Sequence, residues 1–302
     1  MKKMLKKICP ECIHSAYTRA KYWLRFHLNP KGIANELHKA LIGDDIDWKN
    51  PRTLNEKINW MKFNYDTTVW TRLADKHLVR EYVKERIGED ALPKEYAVWD
   101  SADKIDFTNL PKQFVLKTNH GCHSVVPILD KNSVNIDAIK KQFAEWMGKR
   151  YGYDTIEPHY LKIKPLVYAE EFLTNDSTQS KSIIDYKVFC INGKAKSILV
   201  CTDRVIGINP TLVMYDIDWN LRKDMLAPKY RNTTININKP ECLQTLLDYA
   251  ESLAKGHPQV RVDFYIVEGK VIFGEMTFTS QGGYMDYLSK DYSLELGKMM
   301  KI

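Results

Sequence analysis

The chain has 302 residues, of which 44% are hydrophobic and 27% charged, as in a globular protein with a large core. No apolar run approaches the roughly 20 residues that a membrane-spanning helix needs, and no signal-peptide pattern is evident at the N-terminus. The net charge of +7 is concentrated in residues 1–28, which hold seven basic residues and one acidic residue. The rest of the chain is nearly balanced in charge, so a nucleic-acid-binding surface is not indicated.

The first residues predict a short amphipathic helix with four lysines on its polar face, which Pro10 ends early. Its apolar face consists of Met1, Met4, Leu5 and Ile8. This pattern is typical of a helix that lies on an anionic membrane surface, and a basic helix packed on the domain is the alternative. We expect residues 1–70 to form an N-terminal basic helical region that contacts a membrane surface or an acceptor.

Six cysteines are scattered at positions 9, 12, 122, 190, 201 and 242. Most of them lie in apolar patterns and are predicted to be small buried thiols of a cytoplasmic protein. Cys9 and Cys12 form a CxxC motif without a second pair, which gives little support to a zinc or redox site.

The segment over residues 29–70 is predicted to be irregular and then helical. Thr53 and Glu56 have the spacing of a capping box, which predicts the start of a helix. A second helix is predicted over about residues 71–87, because apolar residues recur there at helical spacing. Lys76 lies near the start of this helix, and without a functional role it would be an ordinary lysine exposed to solvent.

A short strand is predicted over residues 113–117, and a small polar loop over residues 118–124 follows it directly. A strand that ends in Lys117 before a loop containing glycine can place backbone N–H groups on phosphates while the lysine meets their charge. His120 and His123 of the loop are metal ligands in one interpretation. We expect them to be loop donors instead, because no carboxylate pair lies beside them.

Further elements follow in regular order. They are a helix over residues 134–151, a strand over residues 166–173, a hairpin that turns at Asn192-Gly193, and a helix framed by Pro240 and Gly256. The strand over residues 166–173 carries two adjacent carboxylates near its end, Glu170 and Glu171.

The most informative stretch is a predicted hairpin of β-branched and aromatic residues that turns at Glu268-Gly269. Folding at this turn brings Asp263 and Glu275 near each other on one face. Two carboxylates on rigid strands, with Arg261 two positions before the first, favour a Mg²⁺ site for a triphosphate. An ordinary hairpin with solvated acids is the alternative.

Taken in order, these motifs resemble those of the TupA-like ATP-grasp family, named for teichuronopeptide biosynthesis. The matching motifs are residues 50–60 (NPRTLNEKINW), 73–77 (LADKH), 114–121 (FVLKTNHG), 185–189 (DYKVF) and 273–278 (FGEMTF). The resemblance covers about residues 35–290. It implies an α+β fold in which two α+β lobes with antiparallel sheets clamp ATP, preceded by an N-terminal helical segment. The expected lobes are residues 71–165 and residues 166–302, the second with the Mg-ATP site.

The resemblance also implies how ATP is held. Two lysines would bind the phosphates, and a loop would close over them. A hinge segment would bind adenine through its backbone and ribose through a carboxylate. The cofactor-binding residues implied are Lys76, Lys117, Asn119, His120, Gly121, Ser124, Glu170, Glu171 and Lys187.

Asp263, Glu275 and Thr277 look like the Mg²⁺ ligands of such a site, with Thr277 at the position where many ATP-grasp enzymes have asparagine as a further ligand. Arg261 looks like the catalytic cation that steadies the tetrahedral intermediate, and Lys117 is the second catalytic residue implied. The implied reaction is attack of a carboxylate on the γ-phosphoryl group, followed by attack of an amine on the acylphosphate. Another departure from the family is Cys122-His123, which stands where smaller loop residues are usual.

The resemblance further implies a substrate from cell-surface polysaccharide, namely a capsule, O-antigen or teichuronic-type glycan, free or lipid-linked. Its uronic-acid carboxylate would be joined to an amino acid or another amine, in the cytoplasm or at the inner face of the membrane. A glycosyltransferase is the alternative, since residues 216–218 form a DxD motif that can hold the metal of a nucleotide sugar. A non-catalytic polysaccharide-binding protein is the third hypothesis.

Overall fold

The computed structural model describes residues 20–21, 23–204, 210–231 and 234–302. The predicted amphipathic first helix and the Cys9–Cys12 motif lie outside the described residues. In the part of the chain that is described, no helix combines the length and the apolar character that crossing a membrane requires.

Among the described residues, the helices that precede the first sheet include α1 (Pro30–Ile42), α2 (Leu54–Asn64), α3 (Thr68–Ala74) and α4 (Val79–Ile87). The capping box of α2 is confirmed, because the Thr53 and Glu56 side chains each bind the other residue's backbone N–H. The irregular segment predicted before α2 is wrong in part, since α1 occupies much of it. Asn29 starts α1 by accepting a hydrogen bond from Gly32 N at 2.9 Å.

The single helix predicted over residues 71–87 is wrong, because the chain breaks between α3 and α4 at Asp75. This buried carboxylate accepts hydrogen bonds from His77 N at 2.9 Å and Leu78 N at 3.1 Å. Such side-chain bonds to the following backbone compete with helical bonding and end a helix locally. The break has a functional consequence, since it turns Lys76 out of any helix and towards the first sheet.

The first sheet is antiparallel with the strand order β1-β4-β2-β3. Its strands are β1 (Glu95–Trp99), β2 (Phe114–Thr118), β3 (Val125–Ile128) and β4 (Val167–Glu170). Strand β4 therefore pairs in the first sheet, although the lobe boundary predicted at residue 166 places it with the following lobe. The division of the chain into domains stays a prediction.

The second sheet is also antiparallel, with the strand order β7-β6-β5-β8-β9. Its strands are β5 (Asp185–Ile191), β6 (Lys194–Thr202), β7 (Thr211–Asp216), β8 (Gln259–Val267) and β9 (Lys270–Thr277). The hairpin predicted between β8 and β9 is confirmed, and Glu268 and Gly269 both have positive φ, as a two-residue turn requires.

Each sheet buries one face against a helix and turns its other face towards a cleft. Helix α5 (Ile136–Met147) packs with buried residues of β2 and β4, and helix α6 (Leu243–Ala254) packs with those of β5 and β8. Because side chains alternate along a strand, the residues between these buried positions point to the other face. The C-terminal helix α7 (Lys290–Met299) joins the core of the second sheet through Tyr292 and Leu296. The α+β class with two antiparallel sheets is confirmed.

Candidate active site

A cavity of about 500 Å³ lies between the two sheets. The charged side chains that line it come from strands of both sheets and from two connecting segments. They are Lys76, Lys117, Asp185, Lys187, Arg204, Arg261, Asp263 and Glu275. Five basic residues and three carboxylates make this cleft net positive, which suits an anionic ligand. Within it the structure brings together all the residues proposed from the sequence as catalytic and both carboxylates proposed as metal ligands.

The two carboxylates face each other because of a β-bulge. A regular hairpin with its turn at Glu268-Gly269 would pair Asp263 with Gly274 and place Glu275 on the opposite, buried face. The register instead shifts by one residue beside Phe264, so that Asp263 lies directly opposite Glu275. A Cβ atom on Gly274 would lie only 3.0 Å from the Asp263 carbonyl oxygen, which explains glycine at this position.

One row of side chains crosses three strands at this point. Lys187 of β5 lies opposite Asp263 of β8, which in turn lies opposite Glu275 of β9. Lys187 Nζ contacts Asp263 Oδ2 directly and lies 2.7 Å from Asp185 Oδ2. Lys187 was predicted to bind the cofactor, and the structure places it beneath the carboxylates as their counter-ion.

Arg261 is the central cation of this cluster. Its Nε and Nη2 atoms lie 2.6 and 2.7 Å from the two carboxylate oxygens of Asp263, a bidentate pair. Nη2 also donates to Glu275 Oε1 at 3.1 Å, and Nη1 donates to Ser280 Oγ at 3.1 Å. The guanidinium is thus fixed in place between the two carboxylates.

The cations around Glu275 hold it ionised. Burial alone raises the pKa of Glu275, but the nearby cations Lys76, Arg261 and Lys187 outweigh it and hold that pKa well below its usual range. Burial lowers the pKa of Lys187, but Asp185 and Asp263 reverse this and raise it above its usual range. Glu275 and Lys187 are therefore both charged at neutral pH.

Thr277 lies beside Glu275 as a partner of that carboxylate. Its hydroxyl donates to Glu275 Oε1 at 3.0 Å and accepts from Arg261 Nη2 at 3.2 Å. These two contacts orient Glu275, and they occupy the hydroxyl that was predicted as a further metal ligand. A metal-binding role for Thr277 stays a prediction.

The two predicted phosphate-binding lysines enter the cleft from the side of the first sheet. Lys76 Nζ donates to Gly121 O at 2.8 Å and lies 3.7 Å from Glu275 Oε2, so it bridges the two sides of the cleft. Lys117 Nζ contacts the buried carboxylate of Glu170. The other predicted hinge residue, Glu171, turns away and accepts from Lys94 N at 3.1 Å.

The predicted phosphate loop is packed against Tyr151, which follows α5. The Tyr151 ring lies so close to Gly121 that a Cβ atom there would approach it to 2.3 Å. Its hydroxyl lies 3.0 Å from Ser124 Oγ, and its ring packs edge-on against His120. Gly121 and Ser124 line the cleft, whereas His120 is buried behind it.

Asn119 is buried and holds the loop in place. Its Nδ2 donates to Asp75 Oδ2 at 2.9 Å and to Lys164 O at 3.0 Å, and its Oδ1 accepts from Leu166 N at 2.7 Å. With these polar atoms bound to protein, the structure gives Asn119 a positioning role. Its predicted contact with the cofactor remains only a prediction.

The DxD motif, which supported the glycosyltransferase hypothesis, lies outside the cleft. In the DxD motif, Asp216 Oδ1 accepts from Asp218 N at 3.1 Å and from Asn220 N at 2.8 Å, which is ordinary turn bonding. Neither aspartate lines the cleft. Among the described residues, no group of three or more His, Cys, Asp or Glu side chains is arranged to hold a metal ion.

The residues at the cleft that were not predicted from the sequence include Arg204 and Gln281, which line it, and Tyr151, which packs on its loop. Arg204 follows β6 and reaches Asp185, and Gln281 follows the hairpin. Each lies in a connecting segment, where periodicity gives no signal. Only the position of Arg204 directly after a buried strand could have indicated it.

A family model described as TupA-like ATPgrasp matches residues 56–301. No curated protein matches the sequence. Solved structures with a similar fold include the ATP complex of D-alanine–D-alanine ligase from Bacillus anthracis, with 13% identity and a TM-score of 0.41. That similarity covers 76% of this chain and 68% of the ligase. An L-amino acid ligase from Bacillus licheniformis has 12% identity and a TM-score of 0.49, over 85% of this chain and 57% of that enzyme.

Proposed function

The chain belongs to the TupA-like ATP-grasp family, and we propose that it is an ATP-dependent carboxylate–amine ligase that acts on cell-surface polysaccharide. One observation carries the assignment of the site. Lys117 on β2 and Lys76 in the turn between α3 and α4 line the cleft together with Asp263 and Glu275 of the second sheet. Cations for phosphates opposite carboxylates for a divalent metal form the arrangement that phosphoryl transfer from ATP needs.

The phosphates of ATP would lie between the two lysines and the loop that contains Gly121. Lys117 would exchange its contact with Glu170 for a phosphate oxygen, while Lys76 stays anchored to the loop. The adjoining corner lined by Leu92 and Phe273 holds only about 20 Å³. Adenine would therefore enter there only when the two sheets separate.

The carboxylates of the site fit Mg²⁺ that arrives with a nucleotide. Mg²⁺ in such sites takes one or two protein carboxylates and fills its remaining positions with phosphate oxygens and water. Asp263 and Glu275 supply that number of carboxylates, and they would hold the ion. It would neutralise the charge that develops on the phosphates.

In the proposed reaction an oxygen of the substrate carboxylate attacks the γ-phosphorus, forming an acylphosphate and releasing ADP. The nitrogen of an amine then attacks the acyl carbon, and phosphate leaves as the amide forms. Arg261 is fixed by Asp263 and Ser280, so its guanidinium is preorganised to stabilise the oxyanion of the tetrahedral intermediate. The protein contributes by holding the reacting groups in position.

Arg204 is suited to hold the substrate carboxylate. Its Nη1 donates to Asp185 Oδ2 at 2.7 Å, and 47% of its side chain is exposed in the cleft. A guanidinium fixed on one edge keeps its other N–H groups for a second carboxylate. This favours an acidic substrate such as a uronic acid, with an amino acid or another amine as its partner.

The proposal is tested by measuring ADP release with a panel of uronic acids combined with amino acids, with and without Mg²⁺. We expect ADP release only when a uronic acid, an amine and Mg²⁺ are all present. Arg204→Ala should raise the KM for the acid about ten-fold, which corresponds to one lost charged hydrogen bond, and leave the KM for ATP unchanged. Wild type that binds ATP but releases ADP with none of these acids contradicts the proposed substrate class.

A further inference from the structure

A polar face of α2 binds the backbone of the segment that follows the β8–β9 hairpin. Asn55, Asn59 and Lys62 are spaced four and three residues apart, so they share one face of the helix. Their exposures are 2%, 0% and 4%. Buried polar side chains on a helix need partners, and all three find partners in one short stretch of chain.

The contacts run in register along that stretch. Lys62 Nζ donates to Gly282 O, Asn59 Nδ2 donates to Gly283 O at 2.8 Å, and Asn55 Oδ1 accepts from Met285 N at 3.1 Å. We call these three side chains the α2 ladder. Lys62 Nζ also donates to Asn59 Oδ1 at 2.9 Å, which links two members of the α2 ladder.

The segment that the α2 ladder holds has an unfavourable backbone. Gln281, Gly282 and Gly283 have φ values of 48°, 67° and 83° in succession. Glycine adopts this region freely, but a residue with a Cβ atom does not, so Gln281 is strained. Such strain persists only where surrounding contacts fix the chain, and the α2 ladder supplies those contacts directly after Gln281.

The strained residue faces the cleft. Gln281 is exposed and lines the cavity beside Tyr287, and it follows Ser280, which accepts from Arg261. Its Oε1 accepts from Asp286 N at 3.3 Å. Its Nε2 has no hydrogen-bond partner among the described residues and is left to donate to a ligand.

We propose that Gln281 binds and selects the non-nucleotide substrate through its amide nitrogen, and that the α2 ladder positions it. The inference rests on the proposed function, and it deepens that function by naming a specificity residue. An amide N–H donor at this place fits a carboxylate or hydroxyl oxygen of the substrate. It also gives the N-terminal helical region a part in the active site, since α2 belongs to that region.

The first test is Gln281→Gly, which removes the side chain at an exposed position and is compatible with positive φ. The assay is ADP release with the uronic acid and amino acid that give wild type its highest rate. The KM for one of these two substrates should rise about ten-fold, as the loss of one hydrogen bond implies, with the KM for ATP unchanged. Unchanged KM values for both substrates overturn the role of Gln281.

The second test compares Lys62→Met with Lys57→Met. Lys57 lies in the same helix, but its Nζ donates to Met300 O at 2.7 Å, away from the cleft. Lys62→Met should reproduce the KM change of Gln281→Gly, and Lys57→Met should not. Crystal structures of both variants give the φ of Gln281 directly. Gln281 should leave the left-handed region only in Lys62→Met, and an unchanged turn in that variant overturns the positioning role.

Different experimental results would contradict the proposed function and the proposed role of Gln281. If wild type binds ATP but releases no ADP with any acid and amine of the panel, the proposed substrate class is refuted. The crystal structures of the two lysine variants still decide whether the α2 ladder holds Gln281. If wild type is active and Gln281→Gly behaves like it, the function stands and this inference falls.

Discussion

Glu275 is the more accessible of the two carboxylates that face the lysines. Its side chain is 36% exposed, whereas that of Asp263 is 3% exposed and is held by Arg261 and Lys187. A Mg–nucleotide complex would therefore meet Glu275 first. Because the surrounding cations keep this carboxylate ionised, it is ready to bind a metal at neutral pH.

Glu275→Gln should therefore lower kcat/KM about 10²- to 10³-fold. Removing one electrostatic contact from an active site typically has an effect of this size. The midpoint of the Mg²⁺ dependence should also move to higher concentration. Both are measured by ADP release over a Mg²⁺ titration. Glu268→Gln, at the exposed turn of the same hairpin, is the control and should behave as wild type. An unaltered Mg²⁺ midpoint in Glu275→Gln contradicts the assignment.

Lys62 predicts a pH dependence of stability. Burial lowers its pKa from 10.5 to about 7, and the nearby Glu157 offsets only part of this shift. Between pH 7 and pH 10.5 the unfolded chain binds a proton that the folded chain lacks, so this group makes the folded state more stable as pH rises.

The measurement is urea unfolding of wild type and Lys62→Met at several pH values. From pH 7 to pH 9 the free energy of unfolding of wild type should rise relative to the variant by ~1–3 kcal/mol. Lys57→Met, whose ammonium is less buried, should change this difference much less. A constant difference between wild type and Lys62→Met across this range contradicts the prediction.

Among the elements, the β8–β9 hairpin was predicted from the sequence except for its register. Its strands, its turn at Glu268-Gly269 and the meeting of Asp263 with Glu275 were predicted. The register that brings them together depends on a bulge at Gly274, which alternation alone does not reveal. An isolated glycine within a strand pattern was the available signal.

The loop between β2 and β3 gives a prediction at the same scale. Gly121→Ala places a methyl group 2.3 Å from the Tyr151 ring, so either the ring or the loop must move. We expect the Kd for ATP to rise about ten-fold, since Lys76 is anchored to this loop by a hydrogen bond. Calorimetric titration with Mg-ATP measures it.

Tyr151→Ala in the same chain removes the obstacle and should restore part of the affinity for ATP. Gly148→Ala is the matched control, because its Cβ would find no atom closer than 3.5 Å. Equal affinities for ATP in wild type and Gly121→Ala would show that the packing of Tyr151 has no bearing on the nucleotide site.

At the scale of the whole molecule, the order of the motifs predicted the family and the presence of two antiparallel sheets, but not strands β1 and β7. The resemblance brought together residues that lie almost 200 positions apart, such as Lys76 and Glu275. The break at Asp75 and the helix α1 were missed, because side-chain capping decided them against local periodicity. The α2 ladder was missed because its partners are backbone atoms more than 200 residues away.

The basic N-terminus gives a prediction about the surroundings of the enzyme. Deleting residues 1–19 removes four clustered lysines but keeps Phe26, which packs on Tyr153. If this segment lies on a membrane, the full chain should sediment with vesicles containing anionic lipid, and the deletion variant should not. Binding of ATP should be the same in both. Equal sedimentation of the two proteins refutes the membrane contact.

The most direct test of the assigned site is isothermal titration calorimetry of Mg-ATP binding to wild type, Lys117→Ala and Glu275→Ala. We predict that wild type binds and that each variant loses about 10- to 100-fold in affinity, the value of one or two charged hydrogen bonds. A parallel titration with a UDP-sugar should give no heat. Absence of ATP binding together with UDP-sugar binding would contradict the ligase site and transfer the assignment to Asp216 and Asp218.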